Sequence, residues 1–194
     1  NVRDALRAKS AVLGRPLIGP RSINIVIIQA CDRRCSFCWY FSPFVKNPPK
    51  YESIDYQVLK RTLEDCQEIG VDEINFEGGE ITLYPHLEKA FHKVKDLRMR
   101  LIGYSHLDFE SKHLKVLALA DLLTVNLSAM TEDLYCRVHG KPEGSLHNVL
   151  KHLDLLLNLR KKYGKPRIIL TFILFKDNYM QLPIFLDMAQ EHGV

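Results

Sequence analysis

Apolar residues follow two rhythms along this chain. In some stretches they crowd into short blocks, and in others they recur every three or four positions. The blocks read as strands and the spaced stretches as helices. Residues 2–13 begin with helical spacing, Val2, Ala5, Leu6 and Leu13 on one side and Lys9 interrupting the stripe. Gly14-Arg15-Pro16 and Gly19-Pro20 turn this into a loop. The first strand, 22–30, is carried by Ile23-Asn24-Ile25-Val26-Ile27-Ile28. Ser42-Pro43 and Asn47-Pro48-Pro49 mark an irregular connector, and a helix over 54–68 has Leu59, Leu63 and Cys66 as its apolar stripe. That stripe makes Cys66 a core residue rather than a ligand. The pattern then repeats. Strand 73–77 precedes helix 87–97, and strand 99–104 precedes helix 112–120. Strand 122–127 is followed by a short helix, 132–138, and a long one, 146–163, which Gly164 caps. Strand 167–175 and helix 182–191 complete the series, and His192-Gly193-Val194 reads as a turn toward another strand.

Two strands say more than their position. In the fourth, Leu123, Val125 and Leu127 alternate with Thr124, Asn126 and Ser128. Either the polar row faces a barrel lumen or the strand is an edge with one wet face. The fifth is apolar on both faces, with Ile168, Leu170, Phe172 and Leu174 opposite Ile169, Ile173 and Phe175. Such strands belong inside a parallel sheet, which predicts a sixth strand after Val194. Five strand–helix alternations argue for a parallel α/β sheet with right-handed crossovers. Periodicity does not separate an open sheet from a barrel.

Composition narrows the class. At 194 residues, 46% hydrophobic and 26% charged, the chain suits one ordinary globular domain. No apolar run approaches the roughly 20 residues of a membrane span, and the mixed-charge start is not a signal peptide. Five cysteines, an odd number with three in one loop, point to reduced thiols and a cytoplasmic setting. The net charge of +4 is concentrated at two helix ends, Lys93, Lys95, Arg98 and Arg100 at one and Arg160, Lys161, Lys162 and Lys165 at the other. Cations are favoured at helix C-termini, and in a βα barrel those ends lie opposite the ligand face, so a nucleic-acid surface is the weaker reading.

The candidate chemistry lies where the first strand ends. Cys31, Cys35 and Cys38 stand at C-x3-C-x2-C spacing. Three thiolates favour zinc or iron–sulfur, and the local ligand set is one short of four. A disulfide with a spare thiol, a zinc site completed from elsewhere and coincidence are the other readings. One helix later, Gly78-Gly79-Glu80 closes the second strand, glycines that let backbone approach a ligand followed by a carboxylate available to a cation.

Together these motifs, with Phe37 before the last cysteine, resemble the radical S-adenosylmethionine (SAM) superfamily. Ser128-Ala129-Met130 and Asp133-Leu134-Tyr135-Cys136-Arg137-Val138-His139-Gly140 are similar to the segment after the fourth strand in its molybdenum-cofactor cyclase and SPASM/Twitch branch. The resemblance runs from Ile23 to the end. It implies a partial, TIM-like (βα)6 barrel over 22–194, with residues 1–21 as a leading helix and linker and with five of six units present. It implies a [4Fe–4S] cluster on Cys31, Cys35 and Cys38, and SAM bound through the backbone at Phe37, Gly78 and Gly79 with Glu80 nearby. Ser105, Asn126, Ser128 and Thr171 are the further SAM contacts it implies, and Arg137 either meets the SAM carboxylate or forms a surface ion pair. Two departures stand out: Ile81 replaces the family's usual proline, and Tyr104-Ser105-His106 replaces its usual Thr-Asn-Gly. The implied reaction is reductive SAM cleavage, fed by an external one-electron donor of the flavodoxin or ferredoxin type. The resulting radical takes hydrogen from a small-molecule or peptide substrate. Peptide maturation of the SPASM type is one expectation; a cyclase or isomerase acting on a nucleotide, sugar or small acid is another. A non-catalytic zinc or iron–sulfur module is the alternative of a different class. Tyr104, His106, Asn126 and Asn178 are the lumen candidates for substrate, with a structural role as the other reading of His106 and Asn178. Trp39 and Tyr40 either wall the lumen or pack on the rim.

Overall fold

The structure, a computed structural model, describes all residues 1–194. The elements run α1 (Val2–Leu13), β1 (Ser22–Ile28), α2 (Tyr56–Glu68), β2 (Glu73–Gly78), α3 (Leu87–Asp96), β3 (Arg100–Ser105), α4 (Leu114–Leu117), β4 (Leu122–Asn126), α5 (Glu132–His139), α6 (Ser145–Tyr163), β5 (Arg167–Thr171) and α7 (Leu182–His192). All strand pairs are parallel and follow chain order, β1-β2-β3-β4-β5. β1 and β5 are not paired, so the five βα units form an open, partial barrel.

Strand alternation sorts the side chains. Ile27, Ile74, Phe76, Leu101, Leu123, Val125 and Ile168 face the helices. There they join Leu59, Leu63, Cys66, Phe91, Val94, Leu117, Val149, Leu153 and Leu156 in one core of 35 buried residues. The other face carries Asn24, Val26, Asn75, Glu77, Tyr104, Thr124, Asn126, Ile169 and Thr171, which are half-buried or exposed apart from Asn75. The polar row expected on the fourth strand therefore lies on the concave face. Its last expected member, Ser128, lies past the strand and is fully buried.

The strands end earlier than apolarity alone predicts, for identifiable reasons. β1 stops at Ile28 because the Gln29 N–H turns to Glu52 O. β5 stops at Thr171 because the next donors find side chains. The Ile173 N–H donates to Ser128 Oγ and the Phe175 N–H to Asn178 Oδ1, while Asn178 Nδ2 donates to Ile173 O and Ser128 O. Asn178, expected in the lumen, is this turn's fully buried brace. Residues 112–120 form a tight turn and the short α4 rather than one helix.

α1 is a helix as expected, but its apolar stripe is not what docks it. Val2 and Leu13 are exposed, and no residue of the helix is fully buried. Arg3 and Arg7 instead hold Asp72, and Arg7 also donates to Gly70 O and Gly19 O. The basic end of α3 is likewise taken up by ion pairs. Lys93 holds Glu64, Lys95 holds Asp121 and Arg100 holds Glu73.

Candidate functional site

Cys31, Cys35 and Cys38 are free, half-buried thiols on the loop leaving β1. Backbone contacts pin that loop. The Arg34 N–H donates to His139 O (3.2 Å) and the Ser36 N–H to Val138 O (2.8 Å), tying it to the end of α5. Inside the loop the Cys38 N–H donates to Cys35 O (3.0 Å) and the Phe41 N–H to Cys38 Sγ (3.3 Å). Gly140 caps α5 at φ 63°, and a Cβ there would stand 2.9 Å from Arg34 Cβ. Glycine is required both by the left-handed cap and by the close approach.

The end of β2 presses on the same loop. The Gly79 N–H donates to Ile28 O (3.0 Å) and the Glu80 N–H to Ala30 O (2.8 Å). A Cβ on Gly79 would lie 1.9 Å from Ala30 O, and one on Gly78, at φ 149°, 2.2 Å from Ile28 O. The paired glycines thus let two strand ends touch. A cavity of about 250 Å³ opens over the junction, lined by the three cysteines, Phe37, Gly78, Gly79, Glu80, Ser105, Asn126 and Thr171 among others. Nine of the ten are placed by the C-terminal ends of β1 to β4 or the loops after them, and Thr171 by the end of β5. That is the end at which parallel βα folds take ligands.

The comparisons with known proteins bear on this cavity. The sequence profile of the radical SAM superfamily matches residues 25–189. This chain belongs to the radical SAM superfamily. It is 27% identical over 138 residues to an S-adenosylmethionine-dependent nucleotide dehydratase from a Thermoplasmatales archaeon, covering 70% of this chain and 48% of that protein. It is 23% identical over 185 residues to a probable GTP 3′,8-cyclase from Thermoplasma volcanium, covering 92% of this chain and 52% of that protein. The chain therefore spans about half the length of these curated relatives. Among solved structures it is similar to Streptococcus suis SuiB bound to S-adenosylmethionine. The TM-score is 0.77 at 18% identity, over 98% of this chain and 42% of that one. At that identity the likeness speaks for the fold.

Radical SAM proteins use a [4Fe–4S] cluster and SAM, and the donor set here fits the cluster. Among His, Cys, Asp and Glu, only Cys31, Asp32 and His106 bring their ligand atoms all within 4.8 Å of one another. The three thiols are not all within that distance of one another. A single zinc ion, with Zn–S near 2.3 Å, would hold its sulfurs about 3.8 Å apart. A multi-iron cluster suits the wider spread. Cys66 is buried in the core and Cys136 faces Glu132 on α5, so neither adds a ligand. Burial pushes the Cys31 thiol up to about 12 and the Cys35 thiol to about 11, in the latter case against the nearby charge of Arg33. Both remain protonated until a metal displaces the proton.

The carboxylate of Glu80 is committed to its neighbours. Its Oε1 accepts from Thr82 N–H (3.1 Å), Thr82 Oγ1 (2.8 Å) and Ser105 Oγ (2.9 Å), and its Oε2 accepts from His106 N–H (2.9 Å). It joins the ends of β2 and β3 rather than standing free for a cation. Ser128 is enclosed, bonded to Asn126 Oδ1 and the Ile173 N–H, and does not line the cavity. The structure does not bring Arg137 there either. Its guanidinium is exposed, pairs with Asp133 one turn earlier (3.2 Å) and borders a separate cleft with Ser36, Phe175 and Asp177.

Sequence reasoning missed the charge cluster beneath the cysteines. Arg33 is 1% exposed. It donates to His106 O (3.3 Å), lies 3.3 Å from His139 Nδ1 and pairs with Asp108 at 3.6 Å. Lys141 bridges Asp32 (2.8 Å) and Asp108 (3.3 Å), and His106 Nε2 meets Asp32 at 2.8 Å. Burial works against the charged form of Asp32, but the His106 and Lys141 contacts outweigh it and hold the carboxyl well below its usual range. His139, 3.2 Å from Cys35 Sγ, is driven down to about 3, mainly by burial and then by Arg33, and stays neutral. Arg33 and Asp32 lie 73 to 109 positions from His106, His139 and Lys141, so no local spacing betrays them.

Proposed function

We propose that this chain holds a [4Fe–4S] cluster on Cys31, Cys35 and Cys38 and binds SAM in the adjoining cavity, to start radical chemistry on an organic substrate. The observation that carries this reading is the set of three thiols, spread wider than a single metal ion needs, facing the backbone of Gly78 and Gly79 across one cavity. A cluster held by Cys31, Cys35 and Cys38 with SAM beside it would supply one-electron reductive cleavage of the SAM carbon–sulfur bond, drawing on an external donor of the flavodoxin or ferredoxin class, and so hydrogen-atom abstraction from substrate.

The protein's part is to hold and to shield. The N–H groups of Gly79 and Glu80 are already bonded to Ile28 O and Ala30 O, so Gly78 and Gly79 would meet the ammonium of SAM through their carbonyls. Glu80 fixes the β2 and β3 ends on which that backbone depends. Asn126, with its amide 3.4 Å from Thr171 Oγ1, offers a polar wall for ribose hydroxyls. Phe37 packs edge-on to His139 at 5.5 Å and closes the cavity toward α5. The relatives named for nucleotide chemistry favour a small substrate. Anaerobic reconstitution tests the reading. Four irons per chain, an electron-spin resonance signal that changes when SAM is added, and 5′-deoxyadenosine on reduction are expected. Zinc without iron, or iron without any response to SAM, would refute it.

A further inference from the structure

A second cavity, of about 380 Å³, opens on the concave face beside the first. The two share Cys38, Tyr40, Gly78, Gly79 and Tyr104, so a molecule in one lies against a molecule in the other. Val26 and Glu77, paired across β1 and β2, form its floor. Tyr104 stands on the neighbouring β3. Trp39 and Tyr40, rings 5.1 Å apart, form the outer wall.

Glu77 is unlike the other acids of the region. Glu80 is saturated by hydrogen bonds, Asp32 and Asp108 share Lys141, and Glu73 holds Arg100. The half-buried Glu77 side chain makes no hydrogen bond or ion pair within the chain and faces this cavity. Its charge reaches Tyr104: burial first, then the charges of Glu77 and Glu73, raise that phenol above its ordinary value. No lysine lines either cavity, and the one arginine, Arg33, is committed to Asp108, His106 and His139. A phosphate-rich ligand would meet an unpaired carboxylate and no free cation there. An ammonium group would gain the carboxylate and a lining of three electron-rich rings.

We propose that the second cavity is a substrate subsite for a protonated amine, its nitrogen held by Glu77 and its carbon frame between Trp39, Tyr40 and Tyr104. This rests on the reading that SAM occupies the first cavity. The test uses reconstituted protein with SAM bound, after SAM binding has been measured on the same preparation. Calorimetric titrations then compare 2-phenylethylammonium, the similarly shaped 3-phenylpropionate, and GTP. The amine binds and the acid does not; Glu77→Gln weakens the amine about tenfold or more, the worth of one charge-assisted contact, and Glu77→Lys reverses the preference toward the acid. Protein that binds SAM but takes the amine no better than the acid, holds it equally in Glu77→Gln, or prefers GTP overturns the subsite alone. Absence of SAM binding overturns the functional reading instead.

Discussion

Glu80 enters the sequence as a carboxylate offered to a ligand and serves in the structure as an acceptor for Thr82, Ser105 and His106. Removing it leaves the Thr82, Ser105 and His106 donors without this acceptor. A buried donor left unmade costs about 1–3 kcal/mol. Glu80→Ala is therefore expected to lower unfolding free energy by at least that much in urea titration, and Glu80→Gln by less. If Glu80→Ala loses SAM affinity at unchanged stability, the carboxylate contacts the ligand after all. The cysteines behave differently, because their environment rather than their number decides their role. Cys35→Ala is expected to abolish iron binding, whereas Cys66→Ala and Cys136→Ala keep full iron by colorimetric assay. Iron lost from the Cys66 variant would reassign the ligands. The three thiols were legible because their spacing is local. Arg33 and His139 were not, because only the fold brings α5 to the cysteine loop.

At the scale of elements, strand order and helix positions followed from apolar rhythm, and the ends did not. Ends depend on which polar group captures the next backbone donor, and Asn178 capturing Phe175 lies beyond any periodicity. α1 shows the same limit: its stripe predicted a helix, but arginines dock it. Burial raises the Asp72 carboxyl and the hydrogen bonds of Arg3 and Arg7 more than reverse this, leaving it lowered. A lowered carboxyl contributes stability that is fully present above its unfolded value near 3.9 and is lost as pH falls through the folded value. Docking of α1 should thus be constant from neutrality to about pH 4 and weaken below it. Exposed ion pairs of this kind contribute about 0.2–1 kcal/mol each. Protection factors of residues 2–13, which remove the intrinsic pH dependence of exchange, are expected to be as low in Asp72→Asn at neutral pH as in the parent in acid, while the sheet keeps its protection. Unchanged exchange in Asp72→Asn would mean that the Arg7 bonds to Gly70 and Gly19 suffice.

For the whole molecule, the polar concave face and the apolar helix face separate ligand binding from the core, and the alternation in β4 had announced that division. The sequence was less informative about β5, apolar on both faces and expected in the interior of the sheet. In this structure it is the edge strand, with Ile169 38% exposed on it and Leu174 56% exposed in the turn that follows. An apolar, unpaired edge is a template for another strand. The 194-residue chain is accordingly expected to self-associate with rising concentration, and a lysine at Ile169 or Leu174 should restore the monomer. Neither residue lines the cysteine cavity, so iron content should be the same in parent and variants. Sedimentation velocity across a concentration series checks this. A parent that stays monomeric throughout, or lysine variants that associate as strongly as the parent, would show that the β5 edge is not the adhesive surface.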